Sequence, residues 1–460
     1  MLPRTSRNGD LIPVRSRGVT MTRIHRITIG FVGCVLLVSL LLTLFLPTVC
    51  KSIGWWQYHR AEKLNQRIGE AVANEYPPPG ETIPDATIRR INKLTSRRET
   101  SYQRAVAAFS AARSLRSSAL NDRDLVALAN SHIGALGGSY PPLQTISEWK
   151  QTVTSARSEL ETALQLNSEN KDAYSALIHF YLREPEPNPE KAVDVCRKFE
   201  KRFPDDPDMH ASYGYALENS HDRDSAMQHF LKAVELDPLH TANIQLSWLF
   251  ARDGNLDEAI EVLEKFIKRK PSLGLRSAQV QMDHLSRARD RIAQSEAALS
   301  QNPNDIEAIK ILAEAHSRIG AEEMALHWLE RAYELNPNDS DVIWRLALKK
   351  STMGKAEAAI ELYDILLDNA EKPISRESIL ILLGDASFKA GDSDKALACY
   401  KKAVESTPHA SSWALFHLAK YYDKIGNDKL AEEYSRKYVE HRKRDEELLA
   451  NIRALLKGFL

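Results

Sequence analysis

Seven prolines constrain this chain more than any other feature. Pro204, Pro238, Pro271, Pro303, Pro337, Pro373 and Pro408 follow one another at intervals of 34, 33, 32, 34, 36 and 35 residues. A period of that size marks a helical solenoid, in which each unit buries its apolar face only by stacking on its neighbours. Ahead of Pro238, Pro303, Pro337, Pro373 and Pro408 runs a helical pattern rich in Ala and apolar residues, as in DSAMQHFLKAVELDP and DKALACYKKAVESTP. Asn or Asp precedes Pro238, Pro303 and Pro337, which suits a chain leaving one helix and capping the next.

Composition agrees and removes several classes. The 460 residues are 43% hydrophobic and 27% charged, which is neither a disordered chain nor a multi-spanning membrane protein. The 62 Lys+Arg balance 62 Asp+Glu, so the basic surplus of a dedicated nucleic-acid binder is absent. Four cysteines with no C-x-x-C spacing provide neither a zinc ribbon nor a disulfide framework.

One stretch departs from the average. Residues 27–46, ITIGFVGCVLLVSLLLTLFL, carry no charge and would cover about 30 Å as a helix, the thickness of a bilayer core. We expect an uncleaved single-pass anchor after a basic tail (1–26), with Trp55, Trp56 and Tyr58 at headgroup level. A cleaved signal peptide is the competitor, weakened by the length of the apolar run. Arginines 4, 7, 15, 17, 23 and 26 precede the span, which places the repeats on the non-cytoplasmic side. A start at Met21 would nearly abolish that bias. Residues 47–98 read as a juxtamembrane helix and a Pro-rich linker, with Tyr76-Pro-Pro-Pro-Gly as a semi-rigid spacer.

The repeat positions resemble the tetratricopeptide repeat family. The unit closing at Pro238 supplies Gly214, Ala226, Phe230 and Ala233; the unit closing at Pro408 supplies Leu380, Leu383, Gly384, Ala396, Tyr400 and Ala403. The unit closing at Pro337 supplies Leu312, Ala313, Gly320, Ala325, Leu329 and Ala332, and interhelix glycines recur as Gly254, Gly320, Gly354, Gly391 and Gly426. Ala permits close helix approach, the aromatic fills the gap, and Gly supplies a turn with positive φ. The resemblance implies an all-α, right-handed superhelical solenoid of antiparallel helix pairs over 171–439, after the N-terminal transmembrane helix. Divergent repeats occupy 99–170 and a C-terminal capping helix 440–460. The unit closing at Pro303 lacks a glycine turn and reads as one bent or continuous helix. The final helix could instead bind a partner or a membrane surface.

No catalytic constellation stands out. H-E-x-x-H, G-x-S-x-G and the phosphate-binding G-x-x-x-x-G-K-[ST] are all missing, and the fourteen histidines are dispersed. Cys196 and Cys399 lie too many repeats apart to meet and read as small core residues. We therefore expect no enzyme activity, cofactor, metal or small-molecule substrate.

Function then falls to the inner curve. In the family this chain resembles, the first helix of each unit lines a concave groove that receives protein partners. Carried over unit by unit, the groove positions are Tyr215, Trp248 with Arg252, Lys310 with Glu314, Trp344 with Arg345, Ile381 with Phe388, and Phe416 with Lys420. Some of these aromatics could pack between repeats instead. A carboxylate clamp is not evident, because the corresponding positions hold Ala211, Lys310, Trp344 and Ile381. We expect a membrane-anchored scaffold for protein–protein interaction, in cell-envelope assembly or recruitment of a partner complex. A non-catalytic docking or chaperone-like subunit of an enzyme complex is the second reading. An RNA-binding array of the related pentatricopeptide type is the third, opposed by the neutral charge.

Overall fold

The computed structural model describes residues 46–68, 85–115, 118–135, 145–183, 187–271, 274–368, 374–406 and 412–459, with 445–459 as backbone alone. Every regular element among them is a helix. The array opens with α1 (46–68), α2 (Asp85–Leu115), α3 (Asp122–Ala135) and α4 (Ile146–Leu166). Hairpins follow: α5 (Lys171–Arg183) with α6 (Pro189–Arg202), α7 (Pro207–Asn219) with α8 (Arg223–Leu236), and α9 (Ala242–Arg252) with α10 (Leu256–Lys268). A single long α11 (Leu275–Gln301) precedes α12 (Ile306–Arg318) with α13 (Glu322–Leu335), and α14 (Ser340–Thr352) with α15 (Ala356–Asp368). The last pairs are α16 (Arg376–Lys389) with α17 (Ser393–Glu405), and α18 (Ser412–Lys424) with α19 (Asp428–Phe459).

Local chemistry sets these boundaries. Asp206, Asp305 and Asp339 cap α7, α12 and α14, accepting from the backbone N–H of Met209 (2.9 Å), Ala308 (3.1 Å) and Val342 (3.2 Å). The acids near the repeat prolines thus satisfy orphan donors at helix starts. Five first helices end in a left-handed glycine, at Gly254, Gly320, Gly354, Gly391 and Gly426. In the α7–α8 turn, His221 takes the same conformation, with φ of 64°. The next amide then folds back onto the helix, as in Asp222 N–H to Leu217 O (3.0 Å) and Asn255 N–H to Phe250 O (2.9 Å).

Within a hairpin the helices approach closely where a glycine faces an aromatic. A Cβ on Gly214 would lie 2.8 Å from the Phe230 ring, and one on Gly384 2.6 Å from Tyr400. Phe230 is wholly buried, a burial worth about 1.5–3 kcal/mol. Ala226, Ala233, Ala396 and Ala403 are equally sealed, so the small residues of the motif are the floor of each joint. α11 carries no internal glycine to break it and takes the place of a hairpin. Its Gln281 is anchored to α9, donating to Ser247 Oγ at 2.6 Å and Ile244 O at 3.2 Å.

The two ends depart from expectation. Trp55 and Tyr58 pack into the first repeats rather than lying at headgroup level. The Trp55 indole N–H donates to Asp124 Oδ1 at 2.8 Å, and its ring stands edge-on to Phe109 at 6.0 Å. Lys51 pairs with the same buried carboxylate at 2.7 Å, and Ala61 and Leu64 are buried. α1 therefore belongs to the repeat core. The Pro-rich stretch expected as a spacer, 76–80, lies outside the described residues. Trp56 alone stays out, 60% exposed beneath the Arg60 guanidinium. Residues 27–45 of the apolar span lie outside the described residues. Among the described residues no helix is long and apolar enough to cross a membrane.

At the other end, no break separates the last hairpin from a terminal cap: α19 is one helix from Asp428 to Phe459. It also returns to α4. Ser435 Oγ accepts from Ile146 N–H at 2.8 Å, Ser147 donates to Glu432 at 2.7 Å, and Lys150 pairs with Asp423 of α18 at 2.5 Å. The last two helices thus pack back against α4.

Candidate interaction surface on the first helices

The left-handed turn residue gives α7, α9, α12, α14, α16 and α18 a common register. Six residues before it stand Tyr215, Trp248, Glu314, Leu348, Asp385 and Lys420. All six are half-buried, although their flanks include fully buried core. One helical row therefore presents an aromatic, an indole, two acids, an aliphatic and a lysine in succession.

The expected groove residues divide on this register. Tyr215 and Trp248 lie in the row. The Tyr215 ring meets Phe230 edge-on at 5.4 Å and His179 at 6.3 Å, and Trp248 tilts against His284 at 5.8 Å. Trp344 lies four residues earlier, packed partly against the core, with its indole N–H buried and without a hydrogen-bond partner. Phe388 is half-buried against Tyr421, with the Lys424 ammonium 5.7 Å from its ring centre. Phe416 requires correction. It is 4% exposed and packs on Tyr438 at 5.5 Å, because α19 continues far enough to cover it. Ile381 is likewise buried.

The cations expected to steer acidic partners are largely spent within the fold. Arg252 pairs with Glu218, and its side chain lies where a Cβ on Gly320 would sit 3.0 Å away. Lys310 bridges to Asp339 at 3.1 Å and Glu307 at 3.6 Å. Burial lowers the Lys310 affinity for its proton, but the Asp339 hydrogen bond and charge outweigh it and raise the pKa. Arg345 is exposed and holds Asp341 at 2.9 Å. Glu314 is flanked by Arg318 at 2.6 Å and Arg291 at 3.6 Å.

Leu348 and Asp385 were not singled out in sequence. Applying one register to every turn glycine would have found both, whereas the carried-over positions mix several registers, chiefly six and ten residues before the turn. Asp385 accepts from Tyr400 (2.7 Å) and from His417 Nδ1 (3.0 Å). Burial pushes its pKa up, but the His417 hydrogen bond and charge, with Tyr400, hold the carboxyl below its usual range.

Paired helices, glycine turns and alanine joints define an α-solenoid. Models of the tetratricopeptide repeat match residues 207–238 and 240–273, and again 345–411 and 381–445. Those stretches run from α7 to α10 and from α14 into α19, where the paired helices and glycine turns described above lie. No curated protein matches the chain. Among solved structures, the tetratricopeptide protein TTC0263 of Thermus thermophilus is 19% identical, over 40% of this chain and 91% of its own, with a TM-score of 0.32. YrrB, described as a tetratricopeptide protein with an unusual peptide-binding site, is 21% identical over 48% and 99%, with a TM-score of 0.28. The human IFIT1 dimer with m7Gppp-AAAA is 14% identical over 78% and 87%, with a TM-score of 0.29. At these identities and TM-scores nothing about this chain's partners follows from any of the three.

Proposed function

We propose that the chain is a non-catalytic scaffold that binds a protein partner along the first-helix row and is held to a membrane by residues 27–46. The observation that carries it is the row itself: six equivalent positions, all half-buried, on six successive first helices. Such a surface suits an extended segment whose successive side chains meet successive repeats. The repeat class supports a protein rather than a small molecule, and the absence of net charge opposes nucleic acid. The membrane part rests on twenty uncharged residues, enough for one span. With α1 packed into the repeat core, the solenoid would sit directly against the bilayer, on the non-cytoplasmic side if the arginine bias governs orientation. Cell-envelope assembly, or recruitment of a partner complex, fits that position.

Leu348→Asp tests the row. The melting curve of the variant measures what the half-buried site loses, and with the chain folded, partner capture from detergent-solubilised membranes should be lost. Unchanged capture would remove the row from the interface. The anchor has its own test: the full chain should stay with membranes after alkaline carbonate washing, and a soluble form beginning near Trp55 would show cleavage instead.

A further inference from the structure

Glu200 on α6, His210 on α7 and His229 on α8 come together at the joint between two successive hairpins, although 10 and 19 residues separate them in sequence. One carboxylate oxygen and one ring nitrogen from each histidine lie within 4.8 Å of one another. The two Nδ1 atoms are 3.0 Å apart. His210 is buried, and its Nε2 stands 2.8 Å from the Pro204 carbonyl oxygen, which can only accept. The proton of neutral His210 is therefore on Nε2, and Nδ1 offers a bare lone pair. In the metal-free protein, His229 Nδ1–H must donate into it.

We propose that Glu200, His210 and His229 form a binding site for a divalent transition metal of the zinc class, clipping α6, α7 and α8 together. Two imidazoles and one carboxylate are an established ligand set for zinc, with a fourth, open position for water. Magnesium and calcium prefer all-oxygen sites and are excluded by the two nitrogens. Tetrahedral ligands at about 2.05 Å stand about 3.3 Å apart, so the two nitrogens need to part by only a few tenths of an ångström. The Pro204 carbonyl already plays the outer role common at such centres, orienting His210 through its other nitrogen. The Tyr213 ring, 4.1 Å from that of His229, holds the second imidazole in place. On binding, His229 moves its proton from Nδ1 to Nε2, and no net charge has to leave the site.

The test uses the full chain without a polyhistidine tag, stripped by a chelator and titrated with zinc chloride by calorimetry. One zinc per chain is expected, with an accompanying rise in melting temperature and no response to calcium. His229→Gln and the half-buried Glu200→Gln should each weaken binding at least tenfold and abolish the zinc-dependent rise. Their unliganded melting curves establish that both variants fold. The exposed His221→Ala should bind as the parent does. Absence of saturable binding overturns the proposal. So does full-strength binding in both cluster variants, or loss of binding in His221→Ala alone.

Discussion

Ser435 and Ile146, 289 residues apart, share a hydrogen bond of 2.8 Å in which the first amide of α4 donates to a hydroxyl on α19. The first amides of any helix lack intrahelical partners. Thr145 and Glu148 form a capping box that serves two donors at this terminus. Ile146 N–H is left for the far end of the array to satisfy. The final helix is therefore both the cap of the last repeat and part of the start of an earlier one.

Removing that hydroxyl should be felt. Ser435 is 1% exposed, and Ser435→Ala leaves a buried donor unpaired at a cost of about 1–3 kcal/mol. Urea unfolding measures it. A loss near zero would mean that α4 and α19 do not hold each other in solution.

Gly384→Ala should destabilise by about 1–3 kcal/mol, the usual penalty for overpacking. The new Cβ would stand 2.6 Å from the Tyr400 ring, which is also tethered to Asp385 at 2.7 Å. Gly354→Ala is a useful contrast. Nothing lies within 4 Å of its Cβ, so its cost comes from a φ of 78° alone. Equal melting temperatures for Gly384→Ala and the parent would contradict the tight joint.

His221 offers a gain. It adopts the left-handed turn that glycine supplies at five equivalent positions. His221→Gly should raise stability by roughly 0.5–1 kcal/mol, the strain relieved less the entropy lost. A lower melting temperature would show that the His221 side chain makes contacts worth more than the strain.

Acidification should unfold the protein in two stages. Burial holds His316 below its ordinary value; burial with Arg318 and Arg287 does the same for His284, and burial with His210 for His229. The unfolded histidines therefore take up protons first, near pH 6.5, and stability falls as pH drops from there toward the folded values. Asp206, Asp339 and Asp385 are held below the carboxylate range by hydrogen bonds that outweigh their burial. Their contribution is complete above about pH 3.9 and disappears as pH falls through the lowered folded values. Urea midpoints at descending pH follow both steps. A rise in stability on acidification would contradict the sign.

Much of this was legible in sequence because the repeat is local. Pro spacing, Gly254, Gly320 and Phe230 report on neighbours within one unit, and the hairpins follow from them. The long α11 was legible for the same reason, since no glycine interrupts it. What sequence hid is contact between distant units. Ile146 and Ser435 carry no mark of each other, and Phe416 is closed off by a helix whose length no motif sets. Glu200, His210 and His229 belong to three helices, so no short ligand pattern links them. Trp55 resembled a membrane-interface residue because its partner, Asp124, lies 69 positions away.

Photo-crosslinking in membranes bears most directly on the first-helix row. A photoreactive residue at Leu348 or Trp248 samples the row; one at Leu231 or Met324, 46% and 45% exposed on second helices, samples the other side of the repeats. We predict that Leu348 and Trp248 crosslink to the same partner protein, and that Leu231 and Met324 do not. Crosslinking of that partner chiefly from Leu231 and Met324 would place the interface on the second helices and contradict the proposed function.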